Sequence, residues 1–341
     1  MKRILGSGLT LLMAFFVFLA PAAEDEENIA ETDLLVEETE IPAEKSDASA
    51  SESDFPELNE KGFLDSGEFV YENDEEGLWR YASDTLRVEV RRLIQEKPAR
   101  TWYEAEIFCA EGADVPHMIP LDPDHWMTKR DYPYKVARET RTVIAISADY
   151  AWHRYLNKAR VGILLRNGKV WSTKTRKKGA NQFPNLDTLA LFPDGDMKVF
   201  DSDELTAEEY VEMGARDVLA FGPWLIRDGE RNEYALAKYG ASSAERVAVG
   251  MVEKGHYWFM MLEGRIRRSK GDGIDFLTDR LEEKGCQLAF NLDGGQTACI
   301  VFMGHQLCKM DNKPRNLSSR RTAEILGVGT SDLVPAVGDP W

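Results

Sequence analysis

Three strand-length segments dominated by apolar residues each run into a carboxylate: 142–148 into Asp149, 257–262 into Glu263, and 287–292 into Asp293. Near-continuous apolarity marks a strand buried on both faces, because a solvated face would impose alternation. Between the second and third, Ile274, Leu277 and Leu281 form one helical face that Gly285 closes. Strand, crossover helix and strand predict a parallel, right-handed pair. The expected fold class is α/β (mixed α+β), a single domain with a mixed, partly parallel sheet flanked by helices and a C-terminal hairpin.

Other elements follow from local chemistry. Segments 68–72, 86–93 and 101–109, rich in Val, Tyr, Trp and Phe, read as an antiparallel opening to the sheet. Residues 134–139 read as a short helix, and Asn167-Gly168 and Asp194-Gly195 as hairpin turns. Thr206 with Glu209 three residues on is a capping box, and Gly214 ends that helix.

Met303-Gly304 predicts a two-residue turn between 298–302 and 305–309. That register pairs Cys299 with Cys308 at a non-hydrogen-bonded position, where a disulfide is feasible. We expect a cross-strand disulfide there, the alternative being two buried free thiols; Cys109 and Cys286 are unassigned.

Met1-Lys2-Arg3 and the uncharged stretch 4–23, closing on Ala20-Pro21-Ala22, predict export: 1–23 is a signal peptide or an N-terminal membrane anchor. Residues 24–60 form an expected acidic disordered linker, with 13 acids against Lys45 between 24 and 55. The domain itself spans 61–341. The chain's net charge of -17 falls to about -7 over 56–341, and no basic face is evident. Phosphate neutralisation by Lys and Arg supplies most duplex affinity, so no nucleic acid is expected as partner.

The chemistry is bounded by what is missing. No nucleophile elbow, Walker loop, H-E-x-x-H or G-x-G-x-x-G occurs, the five histidines are scattered, and no C-x-x-C pair exists. What recurs is the strand-end carboxylate, and ligands of open α/β sheets bind outside such ends. Asp149, Glu263 and Asp293 are therefore expected to converge as catalytic residues. Gly294-Gly295 lets backbone N–H groups approach an anionic or sugar ligand. Arg246 and Arg265 lie near the same ends and suit bidentate phosphate or carboxylate binding. Trp152 is a candidate sugar-stacking platform. Carboxylates plus arginines fit acid/base chemistry on a glycosyl or phosphoryl substrate.

The segment Asn291-Leu292-Asp293-Gly294-Gly295-Gln296-Thr297-Ala298 resembles the phosphodiester glycosidase family. Ile146-Ser147-Ala148-Asp149-Tyr150 is similar to its I-N-G-D-Y segment, and 221–229 to its F-G-P-x-L-V-x-D-G element. Residues 244–250 resemble its N-P-R-T-A-I-G, Glu263-Gly264-Arg265 its D-G-R, and Ser319-Arg320 a closing E-R. Order and spacing agree across roughly 100–329.

The resemblance implies a secreted or surface hydrolase that cleaves between a sugar's anomeric carbon and a phosphodiester. It implies a site lined by Asp149, Arg246, Glu263, Arg265, Asn291, Asp293 and Arg320, with Gly294, Gly295 and Thr297 in the ligand loop. The arginines would hold phosphate, and Asp293 or Glu263 would act as base or stabilise an oxocarbenium-like transition state. The chain departs from the pattern at Ser147, Ala148, Val247, Glu263, Gln296 and Ser319.

The expected partner is a carbohydrate or glycan phosphodiester, such as exopolysaccharide or a teichoic-acid-like polymer, met at the cell surface or in the extracellular space, with a possible tether through 4–23. Two alternatives stand beside this: a glycan-binding protein of the same fold that has lost catalysis, and a metal-dependent phosphodiesterase. The latter would use Asp149, Glu263 and Asp293 as oxygen ligands for calcium or magnesium; the leading reading needs no cofactor.

Overall fold

Short turns make sequence neighbours the easiest strands to pair, and the first four do so. In the computed structural model β1 (Phe69–Asn73), β2 (Leu78–Ala82), β3 (Leu86–Gln95) and β4 (Arg100–Cys109) form an antiparallel meander. The structure describes residues 55–150, 154, 161–175, 184–240, 242–309 and 320–339, all within one unit that runs from Ala48 to Trp341. The expected leader 1–23, the linker up to residue 54, and Trp152 lie outside the described residues.

The chain continues through β5 (His117–Pro120), α1 (Pro133–Glu139), β6 (Thr142–Ile146), β7 (Gly162–Arg166), β8 (Lys169–Lys174), β9 (Asp187–Leu191) and β10 (Met197–Phe200). Next come α2 (Ala207–Glu212), β11 (Asp217–Phe221), β12 (Trp224–Arg227), β13 (Glu230–Arg231), α3 (Glu233–Tyr239), β14 (Arg246–Glu253) and β15 (His256–Leu262). The last are α4 (Ile274–Glu283), β16 (Leu288–Leu292), β17 (Ile300–Phe302), β18 (His305–Gln306) and β19 (Glu324–Thr330).

Three sheets result. One has nine strands in the order β1-β2-β3-β4-β15-β14-β16-β12-β13; the others are β10-β9-β11-β7-β8 and β18-β17-β6-β19-β5. The largest apolar cluster draws on all three, with Tyr257 and Phe290 from the first, Leu219 from the second, and Ile144 and Val301 from the third. A second cluster lies under α4, where Ile274, Leu277 and Leu281 pack on Ala248, Trp258 and Met260. Each such side chain contributes roughly 1.5–3 kcal/mol by leaving water.

The local signals behave as their chemistry requires. Thr206 Oγ1 accepts from Glu209 N while Glu209 Oε2 accepts from Thr206 N, completing the capping box. Asn167 and Gly168 take φ +49° and +72°, the turn that joins β7 to β8. The final hairpin has the expected register, Phe302 opposite His305 and Val301 opposite Gln306.

Two expectations are corrected. The structure is mixed but dominated by antiparallel sheets: every strand pairing among the described residues is antiparallel. β15 and β16 do run in the same direction, but β14 lies between them and pairs antiparallel with both. The tight connection at Lys254-Gly255 docks β14 on β15 first, so α4 carries the chain across a strand already in place. The Cys299–Cys308 disulfide is also absent: both are buried free thiols, as are Cys109 and Cys286. Regular pairing ends at Gln306, and Cys308 lies beyond it.

Candidate functional site

Three strand ends meet at one loop cluster. Asp293 N donates to Ala148 O at 3.1 Å, and Ser147 Oγ donates to Asp293 O at 3.2 Å, so the end of β6 is stitched to the end of β16. Gly295 N donates to Glu245 O at 2.9 Å, which brings the same loop against the start of β14. The approach requires glycine, since a Cβ at Gly294 would lie 2.5 Å from Glu245 O. Gly264, at the end of β15, is held by the same residue, with a Cβ there 2.7 Å from Glu245 N.

Around this cluster stand most of the residues expected from the sequence. Asp293 is 7% exposed at the loop's start, and its charge, after burial, pushes the Tyr150 phenol up. Arg246 is buried and donates to the carbonyls of Asp272, at 3.3 Å, and Ser242. Burial and then the charge of Arg265 hold its guanidinium below the usual arginine range, so an anion between the two arginines would be welcomed. Arg265 has φ +54°, and its side chain is 54% exposed. Arg320 donates to Gln296 Oε1 at 3.2 Å and reaches the far side of the loop.

Three buried side-chain oxygens here, one of them Glu245 Oε2, have no hydrogen-bond partner among the described residues. Asn291 donates through Nδ2 to Gly222 O at 2.8 Å, but its Oδ1 is unpaired. Thr297 Oγ1 is likewise unpaired. Unmade hydrogen bonds in a buried site cost about 1–3 kcal/mol each, a cost that a polar ligand or water relieves.

Asp149 and Glu263 are each held by arginine, and the buried Oδ1 of Asp149 has no hydrogen-bond partner among the described residues. Asp149 Oδ2 lies 2.5 Å from Arg154 Nε and 3.4 Å from Arg166 Nη2. Arg166 in turn donates to both carboxylate oxygens of Glu324, at 2.7 and 2.6 Å, and Trp126 Nε1 donates to Glu324 Oε2 at 2.7 Å. Burial would lower the Arg166 pKa, but Glu324 and Asp149 outweigh it and hold the guanidinium charged.

Glu263 is fully buried and accepts from Arg268 Nε at 2.7 Å, from Arg268 Nη2 and from Lys309 N at 2.7 Å, while the Tyr103 hydroxyl, 3.3 Å away, has Leu307 O closer at 2.8 Å. These donors fix its carboxylate in place, two of them from Arg268. Arginines thus ion-pair two of the three strand-end carboxylates, Asp149 and Glu263. The calcium or magnesium ligand set built on them is not formed, and no group of three or more His, Cys, Asp and Glu converges among the described residues.

Sequence reasoning missed Glu245, Arg154, Arg166, Arg268 and Glu324. Glu245 is buried beside Arg265, with Arg265 Nε 3.4 Å from Oε2, an ion-pair contact without hydrogen-bond alignment. Its signal was available, because it stands where the quoted family pattern has proline. Glu324 also left a trace, as a charge opening the apolar run Glu324–Thr330.

Comparison with known proteins fits this geometry. The model of the phosphodiester glycosidase family matches residues 140–329. The SPbeta prophage-derived uncharacterized protein YomE of Bacillus subtilis is 28% identical over 179 residues, 52% of this chain but 27% of that protein. The chain thus spans about a quarter of that relative's length. Among solved structures, the catalytic domain of zebrafish N-acetylglucosamine-1-phosphodiester alpha-N-acetylglucosaminidase, auto-inhibited by its pro-peptide, is similar with a TM-score of 0.54 and 17% identity over 73% of this chain and 85% of that one. A hypothetical protein from Synechocystis is similar at 0.52 with 11% identity, covering 73% and 63%. At these identities the structural likeness speaks for the fold.

Proposed function

The chain belongs to the phosphodiester glycosidase family, and from that premise we propose that it hydrolyses the bond between a sugar's anomeric carbon and a phosphodiester. Water attacks the anomeric carbon, the carbon–oxygen bond to phosphorus breaks, its electron pair leaves with the phosphate, and Asp293 takes the water's proton. A phosphodiester is a fair leaving group, so no strong general acid is required. Arg265, exposed and paired only loosely, meets the phosphate charge. Arg246, tied to two carbonyls, braces the loop and adds a fixed positive potential.

The observation that carries this reading is the Asp293-Gly294-Gly295 loop, closed onto Glu245 and Arg246 with unpaired Asn291 and Thr297 acceptors beside it. Three of the chain's departures from the family pattern have structural partners of their own. Val247 is buried in the main core, so its methyl replaces a hydroxyl in packing rather than at the ligand. Gln296 orients Arg320, and Ser147 bonds Asp293 O and Cys299 N.

For setting, we propose export and a surface glycan such as exopolysaccharide or a teichoic-acid-like polymer, in keeping with the apolar leader and acidic stretch in the sequence. The test is release of free sugar from a panel of sugar-1-phosphodiesters, with and without chelator, by the protein and by Asp293→Asn. Chelator-resistant release that falls by about 10²–10⁴ in the variant is expected for loss of a general base. Glycan binding with no release from any substrate would reject turnover, and loss in chelator would return a metal to the mechanism.

A further inference from the structure

Two large aromatic side chains are spent on none of the three apolar clusters. Trp126 and Trp171 meet edge to face with centroids 5.0 Å apart, outside every core. They line a cavity of about 600 Å³ between β5, the β7–β8 turn and the start of β11. That volume is within the range of about 300–1,000 Å³ typical of small-molecule sites. It is open to solvent, because Asp124, Asn167 and Lys169 on its lining are exposed.

Its floor is rigid and its walls are cationic. Trp126 is fixed through Nε1 to Glu324, and the Arg166 guanidinium lies 5.1 Å from its ring centroid. Lys169 Nζ sits 4.5 Å from the ring centroid of Trp171, which is half-buried on the edge strand β8. Asp217 accepts from Met118 N and Asn167 N at 3.2 and 3.0 Å and lies 3.8 Å from Arg216 Nε, so its charge is already answered. Among the described residues no ion pair is formed by Lys169, whose ammonium rests over Trp171.

We propose that this cavity is a second saccharide-binding site, for a sugar ring that carries an anionic group such as a phosphate. The half-buried Trp171, backed by the buried Trp126, takes the C–H face of a pyranose, Lys169 takes the anion, and Asp124 accepts from hydroxyls. The choice of a phosphorylated sugar rests on the function proposed above; the cavity itself does not. Arg166 joins the two places, since it contacts both Trp126 and Asp149, whose neighbour Ala148 bonds the Asp293 backbone. A polymer bearing repeated phosphodiesters would gain from such a second grip by raising the effective concentration of its scissile bond.

Calorimetric titration of the full chain with N-acetylglucosamine 1-phosphate, N-acetylglucosamine and inorganic phosphate tests this, using Arg265→Ala to weaken the first site. Binding of the sugar phosphate should persist in Arg265→Ala and fall at least tenfold when Trp171→Ala or Lys169→Ala is added, with thermal melting unchanged. The neutral sugar should depend on Trp171 and the phosphate on Lys169, each binding more weakly than the conjugate. Abolition of all binding by Arg265→Ala, indifference to both cavity variants, or inorganic phosphate matching the sugar phosphate would overturn the proposal. Absence of sugar release with cavity binding intact would sink the hydrolase reading and leave the cavity standing.

Discussion

Arg265 Nε lies 3.4 Å from Glu245 Oε2, and the two differ sharply in exposure: the arginine side chain is 54% exposed, the glutamate 2%. Glu245 therefore serves as a buried counter-charge beneath an arginine that faces outward. Replacing it with Gln keeps its volume and removes that charge. Ground-state attraction for an anion should rise, since Arg246 and Arg265 lose their compensating acid, while Arg265 loses the partner that aims it. Small misplacements of a positioning group cost rate steeply. Glu245→Gln is expected to lower kcat about tenfold with KM equal or lower, and steady-state kinetics on a sugar-1-phosphodiester would expose an unchanged kcat.

Glu263 is expected to behave as a structural acid. Its donors include both nitrogens of the Arg268 fork and Lys309 N, and Tyr103 is pushed well above its usual range by burial and then by the Glu263 charge. Breaking a buried pair costs roughly 3–5 kcal/mol, less here because the Arg268 side chain is 33% exposed, so about 2 kcal/mol is expected for Glu263→Gln. Its kcat should fall far less than that of Asp293→Asn. Urea melts of Glu263→Gln, Arg268→Met and the double variant would show strong coupling; additive losses would refute the pairing.

Adjacent glycines in the ligand loop should differ in kind. At Gly294 an added methyl meets the Glu245 carbonyl at 2.5 Å, backbone against backbone, so Gly294→Ala must displace the loop and should cost about 10² in kcat. At Gly295 the space is open and only φ +58° resists, a cost of roughly 1–2 kcal/mol in stability with activity largely kept. Parallel kinetics and melting of the two variants decide, and equal activities would be contrary to the site described.

Much of this was legible in the sequence, and the reasons are specific. The turn at Asn167-Gly168, the Thr206 capping box and the register around Met303-Gly304 were readable because their chemistry is local. The ligand loop was readable because Asp293, Gly294 and Gly295 are contiguous. What was not legible depended on how the chain folds back on itself. β14 slips between β15 and β16, and nothing within 257–292 announces it. Asp149 and Glu263 read as strand-end acids, but spacing does not say that Arg154, Arg166 and Arg268 pair with them, even though Arg154 and Arg268 each lie only five residues on. Apolar strand ends mark where a carboxylate sits but not which cation it faces.

Asp187 supplies a pH test. It opens β9, is buried, and accepts from Asn185 Nδ2 at 2.7 Å and from Trp224 N at 3.3 Å. Burial pushes its carboxyl up from 3.8 to about 6, with Asn185 opposing and Asp201 adding to the rise. The folded state then binds this proton more tightly than the unfolded chain, so the contribution is fully present below about pH 4. It is lost as pH rises from about 4 to about 6, and is level above. Its size is of the order of 3 kcal/mol. Asp187→Asn should abolish that slope, so the difference in urea stability between variant and parent should shift toward the variant between pH 4 and 6. A pH-independent difference would contradict the burial argument. Because Asn291 bonds Gly222 O, and a Cβ at Gly222 would lie 2.8 Å from the Asp187 Cβ, this charge sits directly behind the floor of the ligand loop. The same titration should therefore appear as a step near pH 6 in KM for the phosphodiester, and that step should vanish in Asp187→Asn.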